Sequence, residues 1–293
     1  MKNIKIFLSI TIFTLFVFIM PKGAKAAETG NYSYEIVNRE AVITKYINNE
    51  IYYDGLASIP ETLGGYQVSS IDKGAFANCS DVKQVIIPEG VKNIGDFAFT
   101  GCRNLYSVTI PKSVTNIGEF AFANCRFLSI VNMPETGIIN IGQRAFESCY
   151  SLQTIKLPSS VKSIGFGAFR FSSLSEVVIP EGINSIEPNV FEGCSSMKTL
   201  TLPSGLEDIK AGAFSGCSSL EAINALSLTA PEIESDAFAY VPSSAVLNIP
   251  EGASGYDIMP WIEWLNQDTV SLDSIECTSG GNILCNMIYK CFV

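Results

Sequence analysis

Eight phenylalanines stand at positions 76, 99, 122, 146, 169, 191, 214 and 238, at successive intervals of 23, 23, 24, 23, 22, 23 and 24 residues. An interval that steady marks a stack of small structural repeats, each one layer of a continuous solenoid, and it argues against a single globular core. The same frame recurs around each Phe, as in NIGDFAFTGCRNLYSVTIP and NIGEFAFANCRFLSIVNMP. A layer of this size cannot bury its apolar side alone, so strand must stack beside strand and Phe beside Phe.

Within a layer, the alternation Val108-Thr109-Ile110 has the period of a short strand with one buried face. The proline that follows (Pro88, Pro111, Pro134, Pro158, Pro180 or Pro203) cannot donate to a ladder and stops the strand. Apolar residues then recur three apart, as at Val91 and Ile94, and the segment ending in Ala-Phe is one helical turn in length, too short for a stable free helix. Eight layers at a strand spacing of about 4.8 Å predict a sheet roughly 35 to 40 Å long, curved toward the strand side because the Phe side is bulkier. Glycine follows Ile94, Ile117, Ile141 and Ile164, but Asp72, Glu187 and Lys210 hold the same slot elsewhere, so the position reads as sterically tight with ordinary dihedrals.

Six cysteines, 79, 102, 125, 149, 194 and 217, fall three residues after a repeat Phe. Neighbours in such a column lie about 5 Å apart, yet parallel inward side chains seldom reach disulfide torsion, so the column reads as free, buried thiols packing as small apolar groups. Ser172 and Val241 take the slot in two layers. Cys277, Cys285 and Cys291 lie outside the column, and their odd number leaves one free or paired with another chain.

At the N-terminus, Lys2 and Lys5 precede an apolar run from Ile6 to Met20 and the small-residue site Ala24-Lys25-Ala26. This reads as a secretory signal peptide cut after Ala26, the run being shorter than the roughly twenty residues a spanning helix needs. Cleavage removes Lys2, Lys5, Lys22 and Lys25 and no acid, taking the net charge from -10 to -14. Such a surface repels phosphate backbones, so nucleic acid is not an expected partner, and no membrane span is expected after cleavage. The chain has no histidine, which removes the commonest general base, the usual nucleophile pairs and the commonest zinc ligand. No catalytic residue, cofactor or metal site is therefore expected; carboxylates such as Glu207, Asp208 and Asp236 are read as lying in turns without a convergent pair.

The frame Ile-Gly-x-x-Ala-Phe-x-x-Cys-x-x-Leu-x-x-Val-x-Ile-Pro resembles the BspA-like, or treponemal-type, leucine-rich repeat. The resemblance implies an α/β-type leucine-rich-repeat solenoid, a curved parallel sheet of short strands with one-turn helical or irregular segments on the convex side. It also implies caps: residues 32–76 are similar to the family's N-terminal cap, and IPEGASGYDIMPWIEWL to its closing layer, with Tyr256, Trp261 and Trp264 covering the open end. The organisation expected is a signal peptide over 1–26, an N-terminal cap over 27–70, repeats over 71–250, a C-terminal cap over 251–270 and a Cys-containing tail over 271–293.

Function is then expected to be binding. The resemblance implies a secreted or cell-surface protein that contacts host proteins, matrix or another cell, with adhesion as the leading reading, a structural role in the cell envelope as the alternative and an enzyme as the least favoured. The strand residues pointing away from the core run from Gln84 and Ile86 to Val246 and Asn248; the candidate ligand contacts among them are Ile86, Thr109, Ile130, Asn132, Lys156, Glu176, Val178 and Thr201. Their mix of β-branched, hydroxyl and amide groups also suits any exposed strand, so β-propensity is the competing account. Exposed Ile86, Ile130 and Val178 among polar neighbours support a contact surface. The ligand and the oligomeric state are not legible.

Overall fold

The computed structural model describes residues 27–47, 55–234, 236–257 and 261. The expected signal peptide, Trp264 and the three tail cysteines lie outside the described residues.

Each layer contributes a short strand whose central residue points inward. Leu56–Ser58, Gln84–Ile86, Ser107–Thr109 and Ile130–Asn132 form one parallel sheet in this spatial order, and Glu176–Val178, Thr199–Leu202, Ala222–Ala225 and Val246–Asn248 form another. The register carries like position onto like: Val85 beside Val108 beside Val131, and Val177 beside Leu200 beside Ile223 beside Leu247. A second row of two-residue strands, including Asn93–Ile94, Asn116–Ile117, Asn140–Ile141 and Ser163–Ile164, runs down another side of the coil. With Leu56–Ser58 and the unpaired strand position of residues 154–156, the coil makes nine turns.

The core lies between these two rows and the aromatic column. All eight repeat phenylalanines are buried. Their ring centroids follow one another at 4.7 to 5.4 Å, and from Phe99 to Phe238 the planes agree within 2° to 12°. Such contacts suit offset-stacked rings and add to their area burial. Tyr46 stacks on Phe76 at 4.9 Å at one end of the column, and Trp261 covers Phe238 at 5.9 Å at the other, with its Nε1 donating to the Pro231 carbonyl at 2.9 Å. The terminal antiparallel strands Ala27–Thr29, Tyr32–Val37 and Glu40–Tyr46 extend the second row beyond Tyr66–Ile71.

The one-turn helices expected before each Phe do not form. Amides in this segment alternate between two partners: Ala98, Thr100 and Cys102 donate to the carbonyls three residues back, whereas Phe97, Phe99 and Gly101 donate to Glu119, Ala121 and Ala123 of the next layer. The alternation needs left-handed backbone two residues before and two after the Phe, seen at Phe97 and Gly101 (φ 56° and 70°), Phe120 and Asn124 (52° and 59°) and Arg144 and Ser148 (52° and 59°). An α-helix would turn every amide inward along its own chain; here half of them tie the layers together. The solenoid is therefore all-β with turns on its Phe side.

The tight-glycine expectation holds. Gly95, Gly118, Gly142 and Gly165 are absent from the left-handed region, and a Cβ on Gly118 would stand 2.6 Å from the Asp96 nitrogen and the Gly95 carbonyl carbon. The six described cysteines are free, and all but the half-buried Cys79 are buried. Each buried thiol also donates to the carbonyl of the Phe one layer earlier, from 3.0 Å for Cys102 on Phe76 to 3.4 Å for Cys217 on Phe191. Burial pushes the Cys102 and Cys194 thiols up to about 12 and raises Cys125, Cys149 and Cys217 as well.

Candidate ligand-binding groove

Two departures from the repeat length meet at one place on the strand face. In most layers the apolar residue after the strand-ending proline comes three positions later, as from Pro111 to Val114; after Pro134 it comes four later, at Ile138. The added residue, Gly137, adopts φ 123°, and a Cβ there would fall 2.3 Å from the Lys112 carbonyl oxygen. Two layers on, one residue is missing: Leu174 follows Phe169 by five positions, where Leu152 follows Phe146 by six. Between these changes the strand position of residues 154–156 fails to join either neighbour. Ile130–Asn132 and Glu176–Val178 accordingly pair on one side only. Among the described residues, the amides and carbonyls of 154–157 form no backbone hydrogen bond.

The packing opens with the ladder. The inward-pointing strand residues are buried at Val85, Ile87, Val108 and Ile110 before the break and at Val177, Ile179, Leu200 and Leu202 after it. Val131, Met133, Ile155 and Leu157 are only partly buried. The opened core becomes the wall of a groove of about 640 Å³, with Ile155, Leu157, Val178 and Leu226 as aliphatic lining and Pro134, Pro158 and Pro180 along one side. That size falls within the range of sites that hold a ligand. Glu135, Glu176 and Glu181 also line it, against one cation, Lys156. Lys156 Nζ lies 3.2 Å from Glu135 Oε1, with both side chains largely exposed, and Glu181 accepts from the Ser204 amide at 3.1 Å and hydroxyl at 2.7 Å. An ion pair so exposed holds its partners weakly, about 0 to 1 kcal/mol.

Of the eight candidate contacts read from the sequence, the structure brings Lys156, Glu176, Val178 and Thr201 together in this groove. Ile86, Thr109, Ile130 and Asn132 lie on the ladder before it, where Asn132 Nδ2 donates to Thr109 Oγ1 at 3.3 Å. All point away from the core; Thr201 is half-buried and the other seven are exposed. Sequence reasoning missed Leu226, Glu135, Glu181, the prolines and the half-open Ile155 and Leu157. Their signal was the pair of unequal intervals, 24 from Phe122 to Phe146 and 22 from Phe169 to Phe191, that flank the stretch from Phe146 to Phe169. Asp208, read as lying in a turn, sits instead on the strand Asp208–Ile209, where Lys210 Nζ pairs with it at 3.2 Å.

Chemically, the groove offers aliphatic surface, hydroxyls from Thr154, Ser159 and Thr201, and carboxylates. Among the described residues no three His, Cys, Asp or Glu side chains converge as metal ligands, and no helix is long and apolar enough to cross a membrane. The arrangement is suited to holding a ligand by contact and charge.

Among solved structures, a Treponema pallidum leucine-rich repeat protein is 24% identical over 69% of this chain and 86% of its own, with a TM-score of 0.50, which bears on fold alone. A leucine-rich cell surface protein of Faecalibacterium prausnitzii A2-165 is 23% identical over 85% of this chain and 100% of its own, with a TM-score of 0.48. No curated protein matches. The sequence profile described as the BspA type leucine rich repeat region matches residues 45–174 and 162–257, in six copies. The stacked frame, its buried Phe column and this match together establish that the chain belongs to the BspA-type leucine-rich-repeat family.

Proposed function

We propose that this protein is exported and displayed outside the cell, where its strand face holds a protein ligand of a host, a matrix or a neighbouring cell and so mediates adhesion. Leucine-rich-repeat proteins of this kind typically act through protein–protein contact. The observation that carries the reading is the opened core beside residues 154–157: an aliphatic groove on an exposed sheet face is the sort of surface that a partner covers. On the Phe side the aromatic column stays stacked from Tyr46 to Trp261.

The test is attachment of the chain from Ala27 onward to cells and to matrix-coated surfaces. Val178→Asp and Ile130→Asp alter exposed side chains, so folding is retained while attachment falls at least tenfold. Glu119→Lys, exposed on the Phe side, leaves attachment unchanged. Equal loss with Glu119→Lys, or none with either strand-face change, overturns the assignment. Export predicts a mature N-terminus at Ala27 by terminal sequencing; secreted material retaining residues 1–26 contradicts it.

A further inference from the structure

We propose that the groove takes an extended segment of a partner protein in which cationic side chains alternate with apolar ones; this deepens, and rests on, the reading of the strand face as a protein-binding surface. Three properties of the site define that occupant.

The first is charge. Three carboxylates, Glu135, Glu176 and Glu181, meet one ammonium, and Lys156 already faces Glu135 at 3.2 Å. Glu176 forms no ion pair among the described residues. The chain as a whole carries -10, so the field over the groove draws cations and turns away a second copy of the same chain.

The second is lining. The apolar groups are aliphatic, with Val178 54% and Leu226 46% exposed, and among the described residues no aromatic ring lines the groove. Aliphatic walls suit Leu-, Val- or Phe-type side chains; flat sugar faces are better matched by aromatic rings.

The third is backbone. Residues 154–157 form no backbone hydrogen bond among the described residues, and the flanking strands Ile130–Asn132 and Glu176–Val178 are each paired on one side only. Unpaired strand edges present donors and acceptors with a period of two, which an extended chain satisfies with its own amides and carbonyls. The same period turns alternate side chains of that chain toward opposite sides, so apolar groups meet the opened core while cationic ones reach the carboxylates.

The experiment uses a pool of acetylated, amidated octapeptides with Lys or Arg alternating with Leu, Val or Phe, passed over immobilised chain from Ala27 onward, with bound peptide quantified by mass spectrometry. Control pools carry Glu at the cationic positions or Ser at the apolar ones, and spermine serves as a small polycation without backbone. Retention of the basic, apolar pool should exceed each control at least tenfold. Glu176→Gln should lower it about twofold to fivefold, as expected for one exposed charge pair, and the loss should shrink in high salt. Val178→Ser should lower it about tenfold through lost apolar contact. Equal retention of the Glu pool, equal binding of spermine, or indifference to both substitutions overturns the proposal. The two readings fail separately. If Val178→Asp abolishes cell attachment while the basic pool binds no better than its controls, the ligand class is wrong and the strand-face assignment stands. If attachment survives both Val178→Asp and Ile130→Asp, both fall.

Discussion

Raising the pH should unfold this protein sooner than its carboxylate-rich surface would lead one to expect, and the cysteine column is the reason. Burial raises five thiols in the native state, Cys102 and Cys194 to about 12 and Cys125, Cys149 and Cys217 in the same direction. In the unfolded chain a thiol titrates near 8.5. A group whose folded pKa is raised contributes stability that is fully present below the unfolded value and is lost as pH rises toward the folded one, so the sensitive window runs from about pH 8.5 to about 12. Each thiol costs about 1.4 kcal/mol per pH unit within that window, hence about 2 kcal/mol at pH 10. Cys102 and Cys194 together reach about 4 kcal/mol, a large fraction of the stability of many folded domains, and Cys125, Cys149 and Cys217 act in the same direction. Urea unfolding midpoints at pH 7, 9, 10 and 10.5, under reducing conditions, measure the effect. Cys149→Ala separates it from other titrations: the small cavity lowers stability by a constant, whereas loss of the thiol makes the alkaline slope shallower by about 1.4 kcal/mol per pH unit. Parallel pH profiles for the two proteins would refute the reasoning.

Three further outcomes follow from the layer geometry. Alkylation of the native protein, mapped by mass spectrometry, should modify half-buried Cys79 before the five buried thiols, whose thiolates are suppressed; simultaneous labelling of all six would contradict the burial. Gly118→Ala should lower stability by about 1 to 3 kcal/mol despite ordinary dihedrals, because the new Cβ meets backbone 2.6 Å away, and an unchanged denaturation midpoint would show that the layers can separate at little cost. Trp261→Ser should cost about 3 to 5 kcal/mol and uncover the end of the Phe column, producing concentration-dependent association by light scattering; a monomer of unchanged stability would remove Trp261 from its covering role.

Much of this architecture was legible because a solenoid writes its spacing into the chain. One Phe per turn must fall at one interval if the rings are to stack, and a Cys three residues later must then fall in a column of its own. Gly118 could be read as tight because Asp72, Glu187 and Lys210 share its slot, which a required left-handed backbone would have disfavoured. The turns before each Phe misled for a definite physical reason. Apolar residues three apart fit one turn of helix, but they fit a run of three-residue turns equally well, and only the alternation of amide partners separates the two. Phe97, Phe120 and Arg144 at positive φ gave no hint of it, since such residues rarely adopt that backbone.

The groove was hidden for a different reason. Each strand residue could be assigned to an inward or outward position from its own layer, and those assignments hold for Ile86, Thr109, Ile130, Asn132, Lys156, Glu176, Val178 and Thr201 alike. What decides whether outward residues form a site is the relation between layers, and that changes where residue counts change. Gly137 adds one residue after one strand, the segment from Phe169 to Leu174 loses one before another, and the strand position between them is left unpaired. A ladder with no slack cannot absorb both shifts, so it parts there, while the Phe stack stays closed at 5.4 Å from Phe146 to Phe169 and again to Phe191. Both strand rows therefore part across these layers, the first at residues 154–156 and the second between Ser163–Ile164 and Ser185–Ile186, while the aromatic stack holds. In a repeat built for uniform stacking, the layers whose strands part while their aromatic column is kept are where binding is to be sought first.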